Sequence, residues 1–152
     1  MATWRAIADS DITAKLSADE LESIRASAPD GTDPVAEAVA QVVDRVRGYV
    51  AAWPRNVMGP AGTVPARLMD AACALLVPAL YGRTAGLMID LNDVRREAAK
   101  SAEALLRDAA RGLFAVELPE AGEESTLDAK SASAELAAGG GTTLRRGDLN
   151  GL

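Results

Sequence analysis

Val35, Val39, Val42, Val46, Tyr49 and Trp53 recur at alternating intervals of four and three, while Glu37, Gln41, Asp44 and Arg47 fall between them. That spacing draws one apolar stripe down a helix. Asp33-Pro34 predicts its start, an N-cap followed by a proline whose missing N–H costs nothing in the first turn. Trp53-Pro54 predicts its end, because proline disfavours helical geometry in the residue before it.

Upstream, Asp9 to Leu16 predicts a short helix or turn. Ser17-Ala-Asp-Glu20 then has the form of a capping box, opening a helix whose core contacts are Leu21 and Ile24. Ala28-Pro-Asp-Gly-Thr-Asp33 reads as a loop by its turn residues.

Downstream, Met58-Gly-Pro-Ala-Gly62 continues an irregular connection, and Val64-Pro65 predicts the opening of a third helix through Tyr81. From Ala71 to Leu80 this helix is apolar almost all round, so it is either the central helix or covered by neighbouring subunits. Pro78 is expected to kink or end it. After a break at Gly82 to Gly86, Asp90 to Asn92 predicts the cap of a fourth helix reaching about Phe114. Its inward residues are expected to be Leu91, Val94, Ala98, Leu105, Ala109 and Leu113, with Glu103 and Arg107 paired at a spacing of four outside. The fold class is therefore all-α, a small bundle of about four helices over residues 1–118.

Beyond Pro119 the chain turns to Ala, Gly, Glu and Ser, and Gly139-Gly140-Gly141 is a hinge by composition. Residues 119–152 read as an extended, flexible C-terminal arm. It ends in spaced leucines with arginines between them, and apolar residues in such a place suggest docking. The candidate docking residues are Leu144, Arg145, Arg146, Asp148, Leu149 and Leu152. The plainer alternative is a frayed terminus with incidental leucines.

Composition narrows the core and the partners. Hydrophobic residues make up 49% of the chain, yet only two tryptophans, two tyrosines and one phenylalanine occur. The core must therefore be built from Ala, Val and Leu, side chains that let helices approach closely. The net charge of −6 is spread evenly along the chain and argues against wrapping nucleic acid through phosphate contacts. Cys73, the single cysteine, excludes an intramolecular disulfide and reads as a small buried residue made in a reducing compartment. The N-terminus lacks a basic region joined to an apolar run, and no stretch approaches the roughly 18–20 apolar residues of a membrane span. The expectation is a soluble protein of the cytosol, without a solenoid repeat.

Candidate chemistry is sparse. The chain has no histidine, which removes the commonest general base, the Ser-His and Cys-His pairs and the usual zinc ligand. Asp90 and Asp93 read as caps rather than cation ligands. The glycine triplet lacks the lysine and hydroxyl residue of a P-loop and reads as a linker. Arg146-Gly147-Asp148 spells an adhesion tripeptide, a match too short to weigh. Arg95, Arg96 and Lys100 form a small basic patch that suits an acidic partner, a backbone phosphate or a solvated helix face. No catalytic, cofactor-binding or metal-ligating residue emerges, and no enzyme is expected.

The order of these elements resembles the Mu-like phage and prophage head-to-tail adaptor family. The resemblance is carried by Ser10 to Leu16 followed by Ser17 to Leu21, by the long helix of Val35 to Val50, and by Val64-Pro-Ala-Arg-Leu68 running through to Tyr81-Gly-Arg83. Val94 to Leu113 and the close Leu144-Arg-Arg146-Gly-Asp148-Leu149-Asn-Gly151-Leu152 complete it. Leucine stands where that family often has an aromatic residue. The resemblance implies a ring, of twelve copies, that joins portal protein to stopper or tail-completion protein at the virion neck. DNA would pass through its channel without specific binding, past acidic walls that repel it. The protein would be made in the host bacterial cytoplasm, with no cofactor and no membrane. A ring needs two different patches on each subunit, for which Leu75, Leu76, Leu80, Tyr81, Arg95 and Arg96 are the candidates. The alternative from another class is a small helical regulator or antitoxin-like module that binds one partner.

Overall fold

A computed structural model describes residues 2–84 and 89–120. Among the described residues the architecture is all-α, with five α-helices and one two-residue strand pair: β1 (Trp4–Arg5), α1 (Asp9–Ile12), α2 (Ala18–Ala26), α3 (Pro34–Ala51), β2 (Val64–Pro65), α4 (Met69–Arg83) and α5 (Asp93–Ala110). A 3-10 turn over Ala66–Leu68 leads into α4. Met1–Glu120 forms one compact unit; the expected arm, from Ala121 onward, lies outside the described residues.

The caps stand where local chemistry puts them. Ser17 Oγ accepts from the Glu20 backbone N–H at 3.2 Å while Glu20 Oε2 accepts from the Ser17 N–H at 2.8 Å, the reciprocal pair of a capping box. Asp33 Oδ1 accepts from the N–H groups of Val35 and Ala36, with Pro34 in the first turn. For α5 the cap is Asn92, whose Oδ1 accepts from the Arg95 N–H at 3.0 Å. Asp93 lies one residue inside, where its charge favours the positive helix end.

Helix α4 is the centre, with α1, α3 and α5 packed around it. Its residues Met69, Ala71 to Val77 and Leu80 are all buried, and four consecutive small side chains, Ala71, Ala72, Cys73 and Ala74, keep the helix thin. Pro78 does not end it. The helix runs five residues further, burying Leu80 completely and Tyr81 in part. Proline inside a helix costs about 3 kcal/mol, and burying two such side chains, at about 1.5–3 kcal/mol for each full burial, offsets it.

Three sequence expectations are corrected. The face that α3 buries is Val35, Ala38, Val42, Val43, Val46 and Val50, while Val39 and Tyr49 are half-buried and Trp53 lies beyond the helix end. A strict seven-residue repeat drifts by ~20° per heptad from a straight helix, so the true face moves off the predicted stripe. Val64-Pro65 does not open a helix: it pairs antiparallel with β1, Trp4 opposite Pro65 and Arg5 opposite Val64.

Helix α5 stops at Ala110, before the expected Phe114. Gly112, at φ +73°, forms a Schellman close: the Leu113 N–H donates to Asp108 O at 2.9 Å and the Gly112 N–H to Ala109 O at 3.1 Å. Leu113 is thereby turned outward and 74% exposed, and Val94 in the first turn is 78% exposed. Of the expected inward residues Ala109 is buried and Leu91, Ala98 and Leu105 are half-buried, while Ala102 and Leu106 complete the buried face.

Trp4 ties the first strand to the segment that follows α5. Its ring is 5% exposed, its Nε1 donates to Glu117 O at 2.8 Å, and the Arg47 guanidinium lies 5.7 Å from its ring centroid. Arg47 also donates to the carbonyls of Gly59, Pro60 and Thr63, pinning that loop over the indole. A Cβ on Gly59 would stand 2.5 Å from the Trp4 ring, whereas one on Gly48 of α3 would meet nothing within 4 Å. Gly59→Ala should therefore lower stability by about 1–3 kcal/mol, and Gly48→Ala should raise it by about 1 kcal/mol. Urea unfolding of the two variants checks both signs.

Candidate protein-interaction site

Among the described residues, no three or more Cys, Asp or Glu side chains are grouped so as to hold a metal ion, and no helix is long and apolar enough to cross a membrane. The features that stand out are surface grooves and the ion pairs that frame them.

The larger groove, about 770 Å³, runs between α3, α4 and α5. Its floor is apolar and shallow-sided: Val42, Leu75, Pro78, Ala79, Leu91 and Ala99. Its rim is largely cationic, with Arg45, Arg83, Arg96 and Lys100 against a single lining acid, Glu103. Arg45 bridges α3 to α5 through Glu103 at 2.6 Å, and Arg83 bridges the end of α4 to Glu37 of α3 at 2.6 Å. Arg96 and Lys100 have looser partners, Asp93 at 3.7 Å and Glu97 at 3.4 Å. A smaller cleft, about 400 Å³, lies against α3 on the side of Ile7, Ile12, Val39 and Val43.

The residues expected at a subunit interface divide. Leu75, Leu76 and Leu80 are 3%, 0% and 0% exposed and belong to the chain's own core. An all-round apolar helix fits a central position as well as a subunit contact, and α4 takes the centre. Tyr81 is half-buried against the same core. Arg95 is held by Glu20: NH1 donates to Oε1 at 2.8 Å and NH2 to Oε2 at 2.9 Å, with each side chain 20% exposed. Only Arg96 of the six is openly presented, at the groove rim. Leu144, Arg145, Arg146, Asp148, Leu149 and Leu152 lie outside the described residues.

The Glu20–Arg95 pair locks α2 to α5 across the fold, a link the sequence did not disclose. The fork of Arg95, with the Ser17 and Asp90 N–H groups, holds the Glu20 carboxyl at about 2, well below its ordinary 4.5. Burial pushes the Cys73 thiol up to about 11, consistent with an inert core residue.

The sequence profile described as Bacteriophage Mu, Gp36 matches residues 7–135, most of the chain. The chain belongs to the bacteriophage Mu Gp36 family. Membership makes it a phage structural or morphogenesis protein. No curated protein and no solved structure matches it. The Mu Gp36 match begins after the Trp4 clasp, takes in helices α1 to α5 and the residues of both grooves, and ends before the glycine triplet.

Two outcomes follow from this geometry. Leu76→Ala should cost about 2–5 kcal/mol in the isolated protein, read by denaturant unfolding, because the side chain fills the subunit's own core. Glu20 has a depressed folded-state pKa, so its contribution is full above about 4.5 and is lost as pH falls through about 2. Glu20→Gln should therefore flatten the fall of stability between those pH values, measured by urea midpoints at stepped pH.

Proposed function

We propose that this Mu Gp36 family member is a head-to-tail adaptor: a ring, of twelve copies, that joins the portal to a stopper or tail-completion protein at the virion neck. The observation that carries the reading is the family match over residues 7–135. The order of elements supports it, as does the C-terminal sequence beyond the compact unit, with Leu144, Arg145, Arg146, Asp148, Leu149 and Leu152 as the portal-docking residues. The action is geometric joining rather than catalysis. DNA passes through the channel unbound, and the net charge of −6 suits a lumen that repels phosphates.

In this reading the subunit contacts come from the outer faces of α3 and α5, since the leucines of α4 are taken up internally. Such a ring is heterologous, with one patch of each subunit meeting a different patch of the next.

Cryo-electron microscopy of the protein mixed with the portal of the same phage tests the reading. A closed ring on the portal supports it; no association with intact portal overturns it in favour of a small helical regulator. Deleting residues 136–152 should abolish portal binding and leave the helical circular dichroism and the melting temperature unchanged.

A further inference from the structure

We propose that the groove between α3, α4 and α5 receives the acidic stretch Glu120 to Leu136 of a second copy of this chain. The inference rests on the ring reading for its biological setting, because a closed ring needs a second patch to meet the first.

The groove supplies an apolar floor and positive edges. Pro78, Ala79, Leu91 and Ala99, all half-buried, offer the apolar surface, over the buried Val42 and Leu75. Arg96 and Lys100 are 58% and 75% exposed, and their partners Asp93 and Glu97 are more than two-thirds exposed themselves. Exposed pairs of this kind are weakly held and screened, so both cations are free to exchange partners when a carboxylate comes into the groove. Arg45 and Arg83 are committed to shorter contacts with Glu103 and Glu37, which compensate their charge, so the exchangeable cations of the rim are Arg96 and Lys100.

The sequence offers one stretch that matches. Between residues 120 and 136 stand Glu120, Glu123, Glu124, Asp128 and Glu135 against Lys130 alone, with Leu127 and Leu136 as apolar anchors. Recognition of a groove by spaced apolar anchors and flanking charge is a recurring mode of peptide binding. The last stretch of the chain has the opposite character. Arg145 and Arg146 outnumber Asp148 there, so the same rim disfavours it and leaves it to a different partner. The family match divides the chain in the same place, taking in the acidic stretch to residue 135 and leaving out the basic end.

The test uses the full chain without portal. One preparation carries Ala129→Cys with a nitroxide spin label; Cys73, 2% exposed, stays unlabelled. It is mixed with a ¹⁵N-labelled chain, so that only contacts between copies broaden the observed signals. At about 1 mM, near the Kd of a weak single contact, the amides of Gln41, Ala79, Ala99 and Lys100 should lose about half their intensity or more. Arg96→Glu/Lys100→Glu in the observed chain should restore those signals, and adding Glu123→Lys/Glu124→Lys in the labelled chain should bring the broadening back. No broadening, broadening elsewhere, or broadening indifferent to the charge reversal overturns the proposal. Portal binding is not involved, so this result and the failure of the adaptor reading are separable.

Discussion

From Ala71 to Val77, helix α4 has no face left over. Residues Ala71 to Val77 are buried in succession, and a helix in that position must be met by neighbours on every side. Its four small side chains set how near α3 and α5 stand, and the apolar sides of those two helices are consumed in covering it. Outside that core lie the long charged side chains that α3 and α5 turn outward, and the trough lined by Pro78 and Ala79 of α4 and Ala99 of α5. The same constraint that makes the core makes the groove.

Polar contacts then fix the periphery to this centre. Glu20 serves α2 as the reciprocal half of its cap and serves α5 as the anchor of Arg95, so one carboxylate sets two helices in register. Arg47 and Trp4 do the equivalent work at the other side, joining β1, the loop of Gly59 to Thr63 and the segment through Glu117. The Glu20–Arg95 bonds and those of Arg47 to Gly59 and Thr63 are partly buried and charge-assisted, stronger than the exposed pairs Arg96–Asp93 and Lys100–Glu97. The groove rim carries both short pairs, Arg45–Glu103 and Arg83–Glu37, and these two looser ones.

Local chemistry was legible in the sequence and long-range chemistry was not. Ser17 with Glu20, Asp33 with Pro34, and the Asp90 to Asn92 cap region all act within four residues, and each helix starts at or next to the place those residues predict. The β1–β2 pairing joins residues some sixty positions apart over two residues only, too short to leave a periodic trace. Gly112 did carry a signal, glycine just past a helix end, but the apolar Leu113 and Phe114 beyond it extended the predicted helix. The leucines of α4 show the limit most clearly. Their sequence fits a helix buried within one subunit or between several, and only the packing of α3 and α5 around them decides it. Of the site, the basic patch at Arg95, Arg96 and Lys100 was visible, but that Arg95 is internal while Arg96 and Lys100 face the groove depends on Glu20, seventy-five residues away.

Family membership places the protein among phage structural or morphogenesis components. The described residues form one hydrophobic core within the single chain, with α4 at its centre. Native-state hydrogen exchange on the isolated protein tests this most directly. The backbone amides from Ala71 to Val77 should be the slowest in the chain, exchanging only with global unfolding. Exchange of those amides on the time scale of the loops, with α3 and α5 still protected, would mean that α4 is completed by neighbouring subunits and would contradict the account.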